Sequence, residues 1–253
     1  MEGGGEICLW ILSQSTNQID FDKWLSVAPL LNRYKFAGFV NDPAFDALEF
    51  LEQHIIPFLP VAIAVGPNGL APVVDLVILG DDVTPVIDII VDNEFARISP
   101  ITTANDLSDV VNEFDLNFCR NIKNDNYLSN VTISPVNDPN DVRGPRSFIF
   151  TDDYATTSNN LYGRRSLSMT ADYVYDYKTA IRIARHVIRS KSLPKRHITF
   201  NSAPRFGFLQ IGDIIALTDS DLYMTNKKGQ IVAKSWSGNF WEFTIEISQN
   251  KIV

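Results

Sequence analysis

The apolar positions change period several times along the chain. Residues 7–12, Ile-Cys-Leu-Trp-Ile-Leu, form an unbroken apolar run that reads as a buried strand. Gln18 to Asn32 is a mixed segment carrying Trp24, Leu25 and Leu30. From Arg33 to Val40 the pattern alternates, with Tyr34 and Phe36 on one face and Arg33 and Lys35 on the other, which predicts a half-exposed strand. Asp42-Pro43 has the form of an N-cap followed by proline in the first turn. Phe45, Leu48, Leu51 and Ile55 then fall at helical spacing, so an amphipathic helix is predicted over residues 43–55, ending before Pro57. Val61–Val65 and Ala71–Leu79 flank Gly66-Pro67-Asn68-Gly69, a hairpin signal because Asn-Gly accepts positive φ at low cost. Short apolar runs at 85–91 and 94–98 and the alternation Val111, Phe114, Leu116, Phe118 predict further strands.

Residues 123–160 are rich in Asn, Asp, Ser and Pro and read as strand fragments joined by long loops. A long helix is predicted over 172–190. Tyr177, Ile181, Ala184 and Ile188 form its expected inner side, and Lys178, Arg182, Arg185 and Arg189 form a basic stripe on another. Strands follow at 197–202, 214–218, 222–225, 230–236 and 240–248. Their predicted turns are Leu209–Asp213, Asn226–Gly229 and Ser237–Asn239. With two main helices at about 43–55 and 172–190 among many strands, and no βαβα alternation, the predicted class is α+β with mostly antiparallel sheet.

Composition narrows the class of function. The 253 residues are 45% hydrophobic and 21% charged, enough to bury a core, and the net charge is −8. That balance argues against a general nucleic-acid binder, which needs a basic face to displace counterions from phosphates. The charge is unevenly distributed. Residues 1–150 hold 8 Lys+Arg against 21 Asp+Glu, whereas residues 151–253 hold 14 against 9, so one half stands at −13 and the other at +5. Such a split suits a basic surface meeting an acidic partner. No apolar run approaches the roughly 20 residues of a membrane span, and no signal-peptide pattern is present.

Chemistry-bearing motifs are sparse. His54, His186 and His197 have no His or Cys at metal-ligand spacing, and Cys8 and Cys119 lie in apolar strand patterns as core residues. Gly80-Asp81-Asp82 matches a metal-binding turn only as a three-letter string. Asn137–Asp141 fails the calcium-loop pattern, with Asn140, Val142 and Arg143 at the third, fifth and sixth positions counted from Asp138. Asp219-Ser220-Asp221 fails as well. Nucleotide-binding and nucleophile-elbow motifs do not occur. The expectation is a non-enzymatic protein with no catalytic residue, metal or cofactor.

The order of parts carries more. Ala180-Ile181-Arg182-Ile183-Ala184 lies in a helix. A strand at Ile198-Thr199-Phe200 follows, then Leu209-Gln210-Ile211-Gly212-Asp213-Ile214-Ile215, and a closing hairpin through Trp241-Glu242-Phe243. Upstream stand Trp24-Leu25, Arg33-Tyr34-Lys35-Phe36-Ala37-Gly38 and Leu48-Glu49-Phe50-Leu51 before the Gly66–Gly69 turn; Val110–Phe114 and Tyr162-Gly163 also match. This arrangement resembles the hub proteins at the tip of long-tailed bacteriophage tails, including the hub-like part of lambda-type tail-tip proteins, over most of residues 20–248. The resemblance implies tail-tube-like hub domains, a first, α+β one at 1–100 and a second, barrel-like one at 101–253 with the helix 172–190 and the C-terminal hairpins. It also implies a virion protein, made in the host cytoplasm, that forms a ring, most simply a homotrimer. Such a ring joins the distal tail or tube protein to the tip or spike and leaves a channel for DNA and the tape-measure protein. The chain reads as a minimal hub or a fragment of a larger one. On this reading Lys178, Arg182, Arg185 and Arg189 are candidate interface residues, and Leu209, Gly212 and Asp213 a candidate structural turn. A tail-associated cell-wall hydrolase and a receptor- or carbohydrate-binding module are the alternatives. The first requires paired carboxylates or a nucleophile in a cleft; the second has only the 11% aromatic content in its favour.

Overall fold

The computed structural model describes residues 2–38, 46–79, 83–90, 107–135, 147–219 and 223–247. After a two-residue strand β1 (Glu2–Gly3), the apolar run at 7–12 is not a strand; it is the body of helix α1 (Gly4–Ser13). An unbroken apolar run does not fix its own period. Here Cys8, Ile11 and Leu12 are buried and Trp10 is exposed, the spacing of a helix. The helix packs on α2 (Phe21–Leu31), and Gly5 makes the close approach possible: a Cβ there would lie 2.6 Å from Ala28 Cα. The mixed segment 18–32 is thus also mostly helix. Asp20 caps it by accepting from the Lys23 N–H, and Trp24, Ala28 and Leu31 face inward.

β2 (Lys35–Phe36) is shorter than the predicted strand, but its alternation is real, with Tyr34 and Phe36 buried. Helix α3 spans Ala47–His54 and is capped by Asp46, which accepts from the Leu48 and Glu49 N–H groups. The expected cap Asp42-Pro43 lies outside the described residues, as do Phe45, the run at 94–98, Gly80-Asp81-Asp82 and Asn137–Asp141. β3 (Val61–Gly66) and β4 (Gly69–Val74) form the predicted hairpin. β4 stops early because Asp75 caps a single helical turn, α4 (Leu76–Leu79), through the Val77 N–H.

β5 (Ile87–Ile90), β6 (Glu113–Asn121), β7 (Asn126–Ser134) and β8 (Ser147–Thr151) precede helix α5 (Asp153–Tyr162), a helix where the composition of 123–160 predicts strand fragments and loops. Strand β9 (Ser166–Ala171) leads into helix α6 (Tyr177–Lys191). One sheet has the order β8-β7-β6-β9, with only β6 and β7 antiparallel. The second contains β10 (Arg196–Ser202), β11 (Ile214–Asp219), β12 (Met224–Trp236) and β13 (Trp241–Ile247) in the order β10-β13-β12-β11-β5. Its pairs are antiparallel except β5 with β11. The two strands expected at 222–225 and 230–236 are the single strand β12, and Asn226–Gly229 is part of it rather than a turn.

The class is therefore mixed helix and sheet, richer in helix and in parallel pairing than expected. Among the described residues none of the sheets closes into a barrel; in the larger one β5 and β10 are the outer strands. Two hydrophobic clusters result. The first gathers Trp24, Phe36, Leu51, Phe114, Leu116, Val131 and Ala184; the second gathers Ile89, Phe200, Leu209, Leu217, Ile231 and Phe243.

Candidate assembly surface

Helix α6 sets the geometry of the basic stripe. Asp176 caps it, its carboxylate accepting from the Thr179 N–H and hydroxyl at 2.9 Å each, while the Thr179 hydroxyl oxygen accepts from the Lys35 N–H at 2.9 Å. The start of α6 is thereby fixed to β2. Ala180, Ile183, Ala184, Val187 and Ile188 are buried and include the face turned to β6 and β7. The inner side is rotated from the expected one: Ala184 and Ile188 are buried, but Tyr177 is exposed and Ile181 only half-buried. Rotation toward Ala180, Ile183 and Val187 leaves Lys178, Arg182, Arg185 and Arg189 all in solvent. Arg189 and Lys191 sit in the last turn, where cations complement the helix dipole.

The stripe borders a cleft of about 320 Å³ between α2, α4 and α6. Arg33, Arg182, Arg185 and Arg189 line it together with Tyr34 and His186, and Leu30, Val77 and Ile78 supply its apolar wall. Arg182 Nη1 donates to the Arg33 carbonyl at 2.7 Å, and Arg189 lies 6.0 Å from the centre of the Tyr154 ring. Among the described residues Lys178 and Arg185 make no ion pair.

Behind the cleft, Asp75 Oδ2 accepts from the Ser190 hydroxyl at 2.8 Å and lies 3.5 Å from His186 Nε2. Burial pushes the His186 pKa below its ordinary value; Asp75 pulls it back up less strongly, and Lys195 and Lys191 lower it further. The imidazole is neutral at pH 7, and its buried Nδ1 has no hydrogen-bond partner among the described residues. Burial raises the Tyr34 pKa, against the pull of Arg182 and Arg33.

The Leu209–Asp213 turn lies elsewhere, at the entry to β11. Leu209 is fully buried. Gly212 has φ of +95° and donates to the Ile231 carbonyl at 2.8 Å, and Asp213 Oδ2 accepts from the Gln210 N–H at 2.8 Å. A Cβ on Gly212 would meet Val73 Cγ2 at 3.0 Å. The structure thus brings Arg182, Arg185 and Arg189 of the stripe to one cleft together with Arg33, leaves Lys178 off its lining, and keeps the turn apart from them.

Other titratable groups lie away from the cleft lining. His54 meets the Phe50 ring at a tilt and the Tyr173 ring edge-on, and His197 Nε2 lies 3.3 Å from Glu246, which also pairs with Lys195 at 2.8 Å. Cys8 is buried in α1, with its thiol pushed up to about 12 by desolvation, and Cys119 is half-buried. Among the described residues no group of three or more His, Cys, Asp or Glu is placed to hold a metal ion. No described helix is long and apolar enough to cross a membrane. Arg33, Tyr34, Asp75 and His186 were not expected at the site. The first two belong to the β2 alternation, and nothing in sequence spacing links Arg33 to Arg182.

No family model matches the sequence, and no curated protein matches it. Among solved structures, the chain is similar to the tail protein from Neisseria meningitidis MC58, at 13% identity and a TM-score of 0.45, covering 84% of this chain and 59% of that one. It is similar to the prophage tail protein gp18 from Listeria monocytogenes EGD-e at 13% identity and a TM-score of 0.38, with coverage of 97% and 72%. A chain from the virion of a native gene transfer agent particle aligns at 10% identity and a TM-score of 0.38, over 65% of this chain and 32% of its own length. The chain thus spans about a third of that virion protein and three-fifths of the Neisseria protein.

Proposed function

We propose that this chain is a structural protein of a bacteriophage tail, a hub whose copies close into a ring, most simply a trimer, between tube and tip. In that position the ring leaves a channel through which DNA and the tape-measure protein pass, and it works by assembly rather than by catalysis. The tail assignment rests on the order of segments through Trp24-Leu25, Arg33–Gly38, the helix with Arg182 and Arg185, and the Leu209–Asp213 turn. The observation that carries the assembly mode is the solvent-facing row Lys178, Arg182, Arg185, Arg189 in a chain whose first 150 residues stand at −13. A head-to-tail ring sets one patch of each subunit against a different patch of the next, so a molecule charged oppositely on two surfaces is complementary to its own copy. The acidic remainder would also repel DNA in transit and keep it from adhering.

The test is mass measurement of the purified protein, alone and with other tail proteins, across a salt series. Wild type should form a species of three times 28.4 kDa that weakens as salt rises, and Arg182→Glu with Arg185→Glu should weaken it further. Unchanged assembly of the double variant would remove the stripe as an interface, and a chain that is monomeric inside intact particles would remove the hub. Peptidoglycan release by the purified protein would favour the hydrolase instead.

A further inference from the structure

The cleft beside α6 is more specific than a charged surface. Four arginines from two segments, Arg33 after α2 and Arg182, Arg185 and Arg189 on α6, line one concavity of about 320 Å³. Leu30, Val77 and Ile78, all half-buried, form its apolar side. We infer that this cleft is a binding site for an acidic, aliphatic peptide segment of a second copy of this chain, with a carboxylate among the arginines and an aliphatic side chain on Leu30, Val77 and Ile78. This deepens the assembly reading and rests on it for the source of the segment.

Three observations favour that occupant. Guanidinium groups present paired N–H donors that match the two oxygens of a carboxylate, so several arginines around one small volume recognise such a group better than a diffuse anion. The volume suits one or two side chains rather than a nucleic-acid backbone, and the apolar wall matches an aliphatic neighbour and no part of a phosphodiester. Finally, the excess of acid over base in residues 1–150 supplies carboxylates in the same molecule, on another copy of which they meet the stripe.

Binding is tested with the full chain and a fluorescein-labelled peptide of alternating aspartate and leucine, read by anisotropy. The peptide should bind, and raising salt should weaken it. Arg185→Gln with Arg189→Gln should reduce affinity tenfold or more, whereas Lys123→Gln with Lys227→Gln, the same two-charge change at exposed residues off the cleft lining, should leave it within twofold. Val77→Ser should weaken the aspartate–leucine peptide several-fold and leave an all-aspartate peptide little changed; equal losses would overturn the apolar half of the site. Equal losses from the arginine pair and from the Lys123 and Lys227 pair would mean non-specific attraction and overturn the proposal, as would an oligothymidylate that binds more tightly at the same arginines.

The source is tested by a photo-crosslinking residue at position 189 in a mixture of light and heavy isotope-labelled protein. Cross-links joining position 189 of one copy to residues 2–150 of the other support the proposal, and cross-links only within one copy overturn it. Peptide binding without ring formation would sink the hub reading and leave the pocket standing. Ring formation lost in the Arg182 and Arg185 reversal, without peptide binding, would do the opposite.

Discussion

At the scale of single residues, a few positions have consequences out of proportion to their size. Gly212 combines φ of +95° with Val73 Cγ2 3.0 Å from where a Cβ would stand, so a side chain there meets both backbone strain and a wall. Gly212→Val should destabilise by about 1–3 kcal/mol in denaturant unfolding. Gln210→Ala should stay near neutral, since it loses only the bond from Lys23 Nζ; equal small effects would remove the conformational requirement. Two buried groups set opposite pH limits. His186 is held below its ordinary pKa of 6.5, so as pH falls below that value the unfolded chain binds a proton that the folded one refuses, and stability declines. Cys8 is raised from 9.0 to about 12, so between those values the unfolded thiol ionises while the folded one does not. Stability then falls as pH rises, by at most about 4 kcal/mol. Chemical unfolding from pH 5 to 11 should show both slopes, with the acid slope reduced in His186→Gln and the alkaline one in Cys8→Ala.

At the scale of elements, legibility depended on whether the pattern was local. The hairpin at Gly66–Gly69, the end of α3 before Pro57 and the course of β10 and β13 were readable because turn residues and alternation are short-range signals. The helix α1 was not, since the run at 7–12 is apolar at every position and only its packing across Gly5 onto Ala28 selects the helical period. In β12 the tetrad Asn226–Gly229 has turn composition, yet pairing of Lys227, Lys228 and Gly229 with Leu217, Ala216 and Ile215 on β11 keeps those three in the strand, and Asn226, with φ of +49°, sits at the register shift beside them. Helix α6 lies between these cases: its existence and basic stripe were visible, but its buried face was placed too far toward Tyr177. Its start depends on Asp176, a cap that also positions Thr179 to receive the Lys35 N–H. Asp176→Ala should lower the thermal midpoint by an amount equivalent to about 0.5–2 kcal/mol. Asp176→Asn should recover most of that, because an amide oxygen still accepts from the helix N–H groups.

At the scale of the whole molecule, the charge division was legible in the chain as a count, but the cleft was not. Arg33 and Arg182 are 149 positions apart and meet only because the segment after α2 runs along α6, and no local spacing encodes that meeting. The same limit applies to the two hydrophobic clusters, since Ile89 leaves the first part of the chain to pack in the sheet of the last. Polar contacts link these parts. Gln230 on β12, 5% exposed, donates from Nε2 to the Val74 carbonyl at 2.9 Å and to the Gly212 carbonyl at 3.2 Å, tying the end of β4 to the entry of β11. Gln230→Leu keeps the volume but leaves both carbonyls facing an apolar side chain. The cost of such unpaired buried acceptors is about 1–3 kcal/mol, larger than the net worth of an ordinary hydrogen bond, because desolvation is no longer offset. The expected outcome is a lower thermal midpoint together with faster amide exchange at Gly212 and Ile231, whose N–H groups close this turn. Exchange in the centre of β6 and β7 should hardly change if the contact is local to the seam. If instead the midpoint is unmoved, or exchange accelerates equally in β6, then Gln230 does not couple the β4 hairpin to the second sheet, and the two parts are held together by other contacts.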